Sequence, residues 1–173
     1  MTNDLYTIEL VGPFFNIESL IEWEKKHNHT LNYFFYIVTG IPINKQKVRS
    51  YCGISMNKEG YIYNRYLADK THIVHYLRNE EIWIGKFSDD NPHTRKDVEL
   101  CETMIISYWQ PELNIRKKAY YPNRSVTIIN RWYKKNLQPR EKNIYTAQTM
   151  PDLIIYDGFA IWGTERIRKL KNL

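Results

Sequence analysis

The residues that set the architecture of this chain are Phe34-Phe35-Tyr36-Ile37-Val38 and Ser50-Tyr51-Cys52-Gly53-Ile54-Ser55. Both runs are rich in the aromatic and β-branched residues that favour strands. The Gly40–Lys45 segment between them contains Pro42 and reads as a turn. We therefore predict an antiparallel hairpin of strands 33–39 and 47–55. Alternate side chains share one face of a strand. Tyr36 is therefore expected on the same face as Phe34 and Val38, and Tyr51 on the same face as Gly53 and Ser55.

Regular elements are predicted on both sides of this hairpin. Gly12-Pro13 is expected to end the first strand, and Asn16 to cap the first helix. The patterns predict strands over 5–11, 81–87 and 125–129, helices over 17–27, 63–78 and 97–109, and a hairpin over 153–162 that turns at Asp157-Gly158. Residues 115–125 and 134–150 are expected to be mobile connections.

The predicted fold class is α/β (α+β), with a small central antiparallel three-stranded sheet flanked by helices. A strand-helix extension over 1–32 precedes a central module over 33–115. A basic region over 116–173, which contains the second hairpin, follows and is expected to pack on the module as one domain.

Composition limits the class of protein. A hydrophobic share of 43 % is enough for a core and argues against wholesale disorder. The two cysteines, Cys52 and Cys101, are too few for a disulfide scaffold and lack zinc-site spacing, so buried thiols in a reducing compartment are expected. No apolar run is long enough to span a bilayer, and no secretory signal is visible. We expect an intracellular protein.

The positive charge is concentrated in the C-terminal third. Residues 1–114 hold 12 Lys/Arg against 15 Asp/Glu, a net of −3, whereas residues 115–173 hold 13 against 4, a net of +9; together they give +6. Basic residues interleaved with aromatic ones suit a polyanion such as nucleic acid, although a solvated surface is the alternative. The candidate binding residues are Arg116, Lys117, Lys118, Arg124, Arg131, Lys134, Lys135, Arg166 and Arg168. Most would contact phosphate rather than bases.

A second group of residues suits phosphodiester hydrolysis. Glu102 stands nine residues before Pro111, and Mg²⁺ needs as little as one carboxylate on the protein, since it keeps several waters. Arg65 has the planar fork of donors that fits a phosphate. Glu99, nearly one helical turn from Glu102, is the rival carboxylate, and Arg78 is the rival arginine.

In order and approximate spacing, Tyr36, Tyr51 with Gly53, Arg65 and Glu102 resemble the GIY-YIG nuclease module. The resemblance covers about residues 33–115. It implies that Tyr36 is the general base or positions the attacking water, and that Tyr51 assists it. It further implies that Arg65 stabilises the transition-state phosphate.

The same resemblance assigns the metal and the end of the module. It implies that Glu102 is the one protein ligand of Mg²⁺, with Mn²⁺ as a substitute. His72, with His75 behind it, matches a histidine that often follows the arginine. Asn114 resembles a structural asparagine that ties down the end of the module.

The activity implied is a Mg-dependent DNA endonuclease that leaves 5′-phosphate and 3′-hydroxyl ends. A compact module with a basic C-terminal part is most similar to a Type II restriction endonuclease. Such an enzyme would act on double-stranded DNA as a homodimer, because symmetric sites match symmetric proteins. The alternatives are a phage or mobile-element endonuclease of low or structural specificity, a non-catalytic nucleic-acid-binding module and a protein–protein interaction domain.

Overall fold

The computed structural model describes residues 4–27, 33–56, 62, 64, 73–140, 150–163 and 166–168. Its elements are β1 (Asp4–Phe14), α1 (Ile17–His27), β2 (Phe35–Pro42), β3 (Arg49–Ile54), a short 3-10 helix (Ile73–Tyr76), β4 (Leu77–Phe87), α2 (Arg95–Trp109), β5 (Val126–Tyr133), β6 (Leu153–Tyr156), β7 (Ile161–Gly163) and β8 (Arg166–Arg168).

All the described strands belong to one mixed sheet, in the order β3-β2-β4-β1-β5-β6-β7-β8. The β1–β5 pair is parallel and the others are antiparallel. The prediction of a small three-stranded sheet is therefore wrong. Its three strands are adjacent, as β3-β2-β4, but the sheet continues through β1 into the C-terminal third of the chain.

The sheet extends because β1 is an interior strand rather than part of an extension. Gly12-Pro13 was expected to end it, but β1 continues to Phe14 with an irregular register after Val11. Ile8, Leu10 and Phe14 are fully buried. A strand with apolar residues on both faces is stable in the interior of a sheet, where both edges are paired.

One helix covers each face of the sheet. The apolar cluster under α2 includes Phe35, Ile37 and Trp83, whereas the cluster near α1 includes Tyr36 and Val38, which are the alternate residues of β2. The sheet curls strongly around α2, which contacts β3 near one end of the strand order and β7 near the other. In a flat sheet, β3 and β7 would be six inter-strand spacings apart, about 29 Å. Helix α2 has 15 residues and is only about 22 Å long, so its contact with both strands reflects the curl of the sheet.

The helix termini follow local sequence signals. The prediction of a helix over 17–27 is confirmed, and the Asn16 side chain accepts a hydrogen bond of 2.8 Å from the Ser19 amide. Helix α2 begins two residues earlier than predicted, at a capping box of Thr94 and Asp97. Most of the predicted helix 63–78 lies outside the described residues. Its last two residues already belong to β4.

The C-terminal hairpin has a longer loop than predicted. Strands β6 and β7 pair, but residues 157–160 form the connection instead of the Asp157-Gly158 dipeptide alone. The Asp157 carboxylate accepts hydrogen bonds of 2.8 Å from the amides of Phe159 and Ala160. This side-chain turn replaces the tight backbone turn.

The segment after α2 is attached to the edge strand β3. Asn114 is buried, its Oδ1 accepts from the Cys52 amide at 2.9 Å, and its Nδ2 donates to the Cys52 carbonyl at 2.8 Å. The Leu113 amide donates to the Ser50 carbonyl at 3.0 Å. Asn114 therefore ties the end of residues 33–115 to β3, as the resemblance implies. Cys52 and Cys101 are buried free thiols, as predicted.

We expect Asn114→Ala to lower the free energy of unfolding by about 2–4 kcal/mol, because the buried amide and carbonyl of Cys52 lose their partners. Urea denaturation measures this change. The exposed Asn91→Ala variant is the control and should stay within about 0.5 kcal/mol of the parent. Equal stability of the two variants would contradict the role of Asn114.

Candidate active site

The first part of the candidate site is a pair of tyrosines on neighbouring strands. Tyr36 of β2 lies opposite Gly53 of β3, and its ring centroid is 5.9 Å from that of Tyr51. A Cβ at Gly53 would stand 2.5 Å from the Tyr36 hydroxyl and 2.9 Å from the Tyr51 ring. Gly53 therefore provides the space that lets the Tyr36 side chain reach across β3. Tyr36 is 1 % exposed.

The second part is a buried ion pair on α2. Glu102 is 8 % exposed, and its Oε2 accepts a hydrogen bond of 2.5 Å from the Lys117 ammonium. Burial raises the pKa of the Glu102 carboxyl, and the hydrogen bond and charge of Lys117 oppose that rise without cancelling it. Lys117 adopts a left-handed backbone with φ of 68°. This conformation is uncommon for a residue with a side chain and accompanies the placement of its ammonium on Glu102.

The two parts approach β3 from opposite faces of the sheet. Tyr36 and Tyr51 belong to the apolar cluster near α1, whereas α2 packs on the other face. Glu102 lies near Cys52, since burial and then the negative charge of Glu102 raise the pKa of that thiol. Cys52 stands between Tyr51 and Gly53 along the chain. Strand β3 therefore separates the tyrosines from the carboxylate.

The remaining predicted catalytic residues divide into three groups. Arg65 and His72 lie outside the described residues. His75, the alternative histidine, is exposed on the short 3-10 helix. The alternatives to Glu102 and Arg65 are Glu99 and Arg78. The Glu99 carboxylate accepts a hydrogen bond from Arg95 at 2.7 Å, and Arg78 donates to the Lys45 carbonyl at 3.2 Å.

The predicted nucleic-acid-binding residues are dispersed. Arg116, Lys117 and Lys118 follow α2, and Arg124 pairs with Asp4 at 2.6 Å. Arg131 is exposed on β5, and Lys134 is also exposed, while Lys135 lies over the rings of Phe14 and Phe15. Arg166 and Arg168 lie on β8 with only their backbone described.

A cleft that sequence reasoning missed lies beside Glu102. It occupies about 630 Å³ between α2 and residues 116–123, a stretch that was expected to be only a connection. Its lining residues are Lys96, Glu99, Leu100, Thr103, Arg116, Lys117, Tyr120, Tyr121, Pro122 and Asn123. The spacing of Lys96, Glu99, Leu100 and Thr103 on one helical face was the available signal. The opposite wall is formed by residues 116–123, which show neither helical nor strand periodicity.

Glu102 fits a metal site with a single protein ligand. In the described part of the chain, no three His, Cys, Asp or Glu side chains are grouped for a multi-ligand site. Mg²⁺ requires only one or two carboxylates when waters complete its coordination. Within the described residues, Lys117 is the one hydrogen-bond partner of Glu102 and it contacts Oε2. A divalent cation at Glu102 would share the carboxylate with this ammonium or displace it.

Comparison with protein-family models, with curated proteins and with solved structures finds no match. The residues and their geometry are therefore the basis for a functional conclusion. None of the helices in the described part of the chain has the length and apolar character needed to cross a membrane.

We expect Gly53→Ala to lower the free energy of unfolding by about 1–3 kcal/mol, because the added methyl group overlaps Tyr36. Combining it with Tyr36→Val removes the overlapping ring. A double-mutant cycle measured by urea denaturation should then show a cost smaller than the sum of the two single variants. Strict additivity would contradict the contact.

The raised pKa of Glu102 predicts a pH-dependent stability. Its neutral form contributes stability that is fully present below the ordinary pKa of 4.5 and is lost as pH rises through the raised value. Between acidic and neutral pH, urea midpoints of the parent should fall relative to those of Glu102→Gln. In Lys117→Met the fall should be steeper, because the pKa of Glu102 rises further. Parallel curves for the parent and Glu102→Gln would refute the shift.

Proposed function

We propose that this protein is a Mg²⁺-dependent DNA endonuclease that hydrolyses phosphodiester bonds. The observation that carries the proposal is the buried Glu102 carboxylate of α2, which lies near Cys52 of β3 and pairs with Lys117 of the basic segment after α2. Gly53 accommodates the tyrosines, and Asn114 attaches the strand to the segment after α2. The adjacency of β2, β3 and β4 also supports it, because the resembled module joins the same three strands.

The residues divide the chemistry as follows. By the resemblance, the Tyr36 hydroxyl takes the proton of the attacking water or orients that water, and Tyr51 hydrogen-bonds beside it. Both tyrosines lie on the face of β3 opposite Glu102. Glu102 holds the divalent cation, with Mn²⁺ as a substitute for Mg²⁺, and the bound cation supplies charge neutralisation at the phosphate. Arg65, through its fork of donors, stabilises the negative charge of the transition state. His72 is assigned to the same site.

The substrate and the assembly are further parts of the proposal. The products carry 5′-phosphate and 3′-hydroxyl ends. The enzyme is either a Type II restriction endonuclease that cuts double-stranded DNA as a homodimer, or a phage or mobile-element endonuclease of low or structural specificity. The net charge of +9 over residues 115–173 supports a polyanionic substrate. Two buried free thiols support action in the reducing cytoplasm.

A second candidate is a nucleic-acid-binding module without catalysis. It is favoured by the separation of the tyrosines and Glu102 on opposite faces of β3, and by the Lys117 ammonium that already neutralises Glu102. This candidate predicts the same affinity for DNA and no hydrolysis. Cleavage assays distinguish the two.

We expect the purified chain to convert supercoiled plasmid DNA to nicked and linear forms with Mg²⁺ and not with EDTA. Glu102→Ala should abolish cleavage, and Tyr36→Phe should lower its rate by about 100-fold or more, since proton transfer contributes that much. Gel electrophoresis gives the rates. Discrete fragments indicate sequence specificity, and a smear indicates low or structural specificity.

The control is Glu22→Ala, an exposed carboxylate of α1 that takes no part in the site; its rate should equal that of the parent. Circular dichroism verifies that each variant is folded. DNA binding without cleavage by the folded parent would establish the binding module instead. Undiminished cleavage by folded Glu102→Ala would refute the assignment of the metal ligand.

A further inference from the structure

The cleft between α2 and residues 116–123 has walls that are held in place. Gln110 ends α2 in a left-handed conformation, and its Nε2 donates to the carbonyls of Ser107 at 2.7 Å and Lys118 at 2.8 Å. The bond to Lys118 joins the loop to the helix. Lys117 adds its ion pair with Glu102. The near wall of the cleft is therefore connected to α2 at two successive residues.

The far end of the loop is fixed by an aromatic contact. Tyr121 packs against the core cluster, and its ring stacks on that of Tyr156 with centroids 6.3 Å apart. Its neighbour Tyr120 is 67 % exposed. One tyrosine anchors the loop, and the other presents its ring to solvent at the cleft. A preorganised loop loses little conformational freedom when it binds a ligand.

The charges in the cleft favour an anion. Lys96, Arg116 and Lys117 line it against the single carboxylate of Glu99, which accepts from Arg95. Lys96 and Arg116 are exposed and form no salt bridge with any described residue. Two cations therefore remain for a ligand. Arg116 can bind two phosphate oxygens at once through its guanidinium.

The size of the cleft selects among nucleic acids. A volume of about 630 Å³ lies in the range of sites that enclose a small ligand. A duplex presents stacked, paired bases and cannot enter a concavity of this size, whereas an unpaired nucleotide exposes a base that can stack on an aromatic ring. The exposed Tyr120 ring and the nearby cations match the two parts of such a nucleotide.

We propose that this cleft binds an unpaired nucleotide of single-stranded DNA, with its base on Tyr120 and its phosphate on Arg116 and Lys96. The inference rests on the proposed function for the choice of nucleic acid as the polyanion. It adds that the substrate has an unpaired segment beside Glu102. Of the two forms of endonuclease proposed above, it selects the one with structural specificity over a Type II enzyme that needs only intact duplex.

The test measures binding in EDTA, so that hydrolysis plays no part. Fluorescence anisotropy should show that labelled single-stranded oligothymidylate binds the full chain more tightly than a duplex of the same length. Tyr120→Ala should weaken the single-strand affinity by about tenfold, whereas Tyr120→Phe retains it, because stacking requires the ring alone. Arg116→Ala should weaken binding and reduce the slope of log affinity against log salt by about one.

Two controls match these variants. Tyr76→Ala removes an exposed tyrosine of the short 3-10 helix, and Lys26→Ala removes an exposed cation of α1 on the other face of the sheet; neither should change the affinity. Equal affinities of folded Tyr120→Ala and parent, or tighter binding to the duplex, would overturn this inference while leaving plasmid cleavage intact. Conversely, absent cleavage with the expected binding would overturn only the catalytic proposal.

Discussion

The pairing of β1 on both of its edges is the constraint on which the rest of the structure depends. Its antiparallel contact with β4 joins it to the β3-β2-β4 part of the sheet, and its parallel contact with β5 joins it to the C-terminal third. The register with β5 is continuous from Asp4 to Val11. Without this strand, the sheet would divide into two parts that each leave an unpaired edge.

The central position of β1 also determines what α2 can contact. Because the sheet curls around this helix, β3 and β7 both pack against it although five strands stand between them. A Cβ at Gly163 of β7 would stand 2.8 Å from the Tyr108 hydroxyl of α2, which shows how close the approach is. The helix that carries Glu102 is therefore enclosed by both ends of the sheet, and its position is fixed by long-range packing.

Local structure was predictable from the sequence because its signals are local. Asn16 caps α1 through a contact three residues away and was predicted. The capping box of Thr94 and Asp97 is equally local, but it was not recognised, and the predicted start of α2 was two residues late. The size of the sheet was not predictable, since the partners of β1 lie far away along the chain, as Ile8 and Phe87 do, and Gly12-Pro13 looked like a terminator. A glycine and a proline inside a strand are tolerated where the register is irregular, and periodicity contains no information about that irregularity.

The candidate site likewise has features that the sequence predicted and features that it did not. The hairpin and the alternation of its side chains were predicted, but the contact of Tyr36 with Gly53 depends on the register between the two strands, which was not. The face on which Glu102 lies depends on which side of the sheet α2 covers, and a helical pattern does not specify that side. The partnership of Lys117 with Glu102 requires a left-handed residue in an aperiodic loop, for which the sequence has no glycine to mark it.

The ion pair of Glu102 and Lys117 connects the two proposals physically. A buried carboxylate requires a counter-charge, and in this structure a lysine of the cleft wall provides it. A phosphate in the cleft would attract the same ammonium, and any shift of Lys117 toward that phosphate would leave Glu102 with less positive charge. Affinity of Glu102 for a divalent cation would then increase, because the cation would replace the lost counter-charge. Under the two proposals, anion binding in the cleft and cation binding at Glu102 are therefore expected to favour each other.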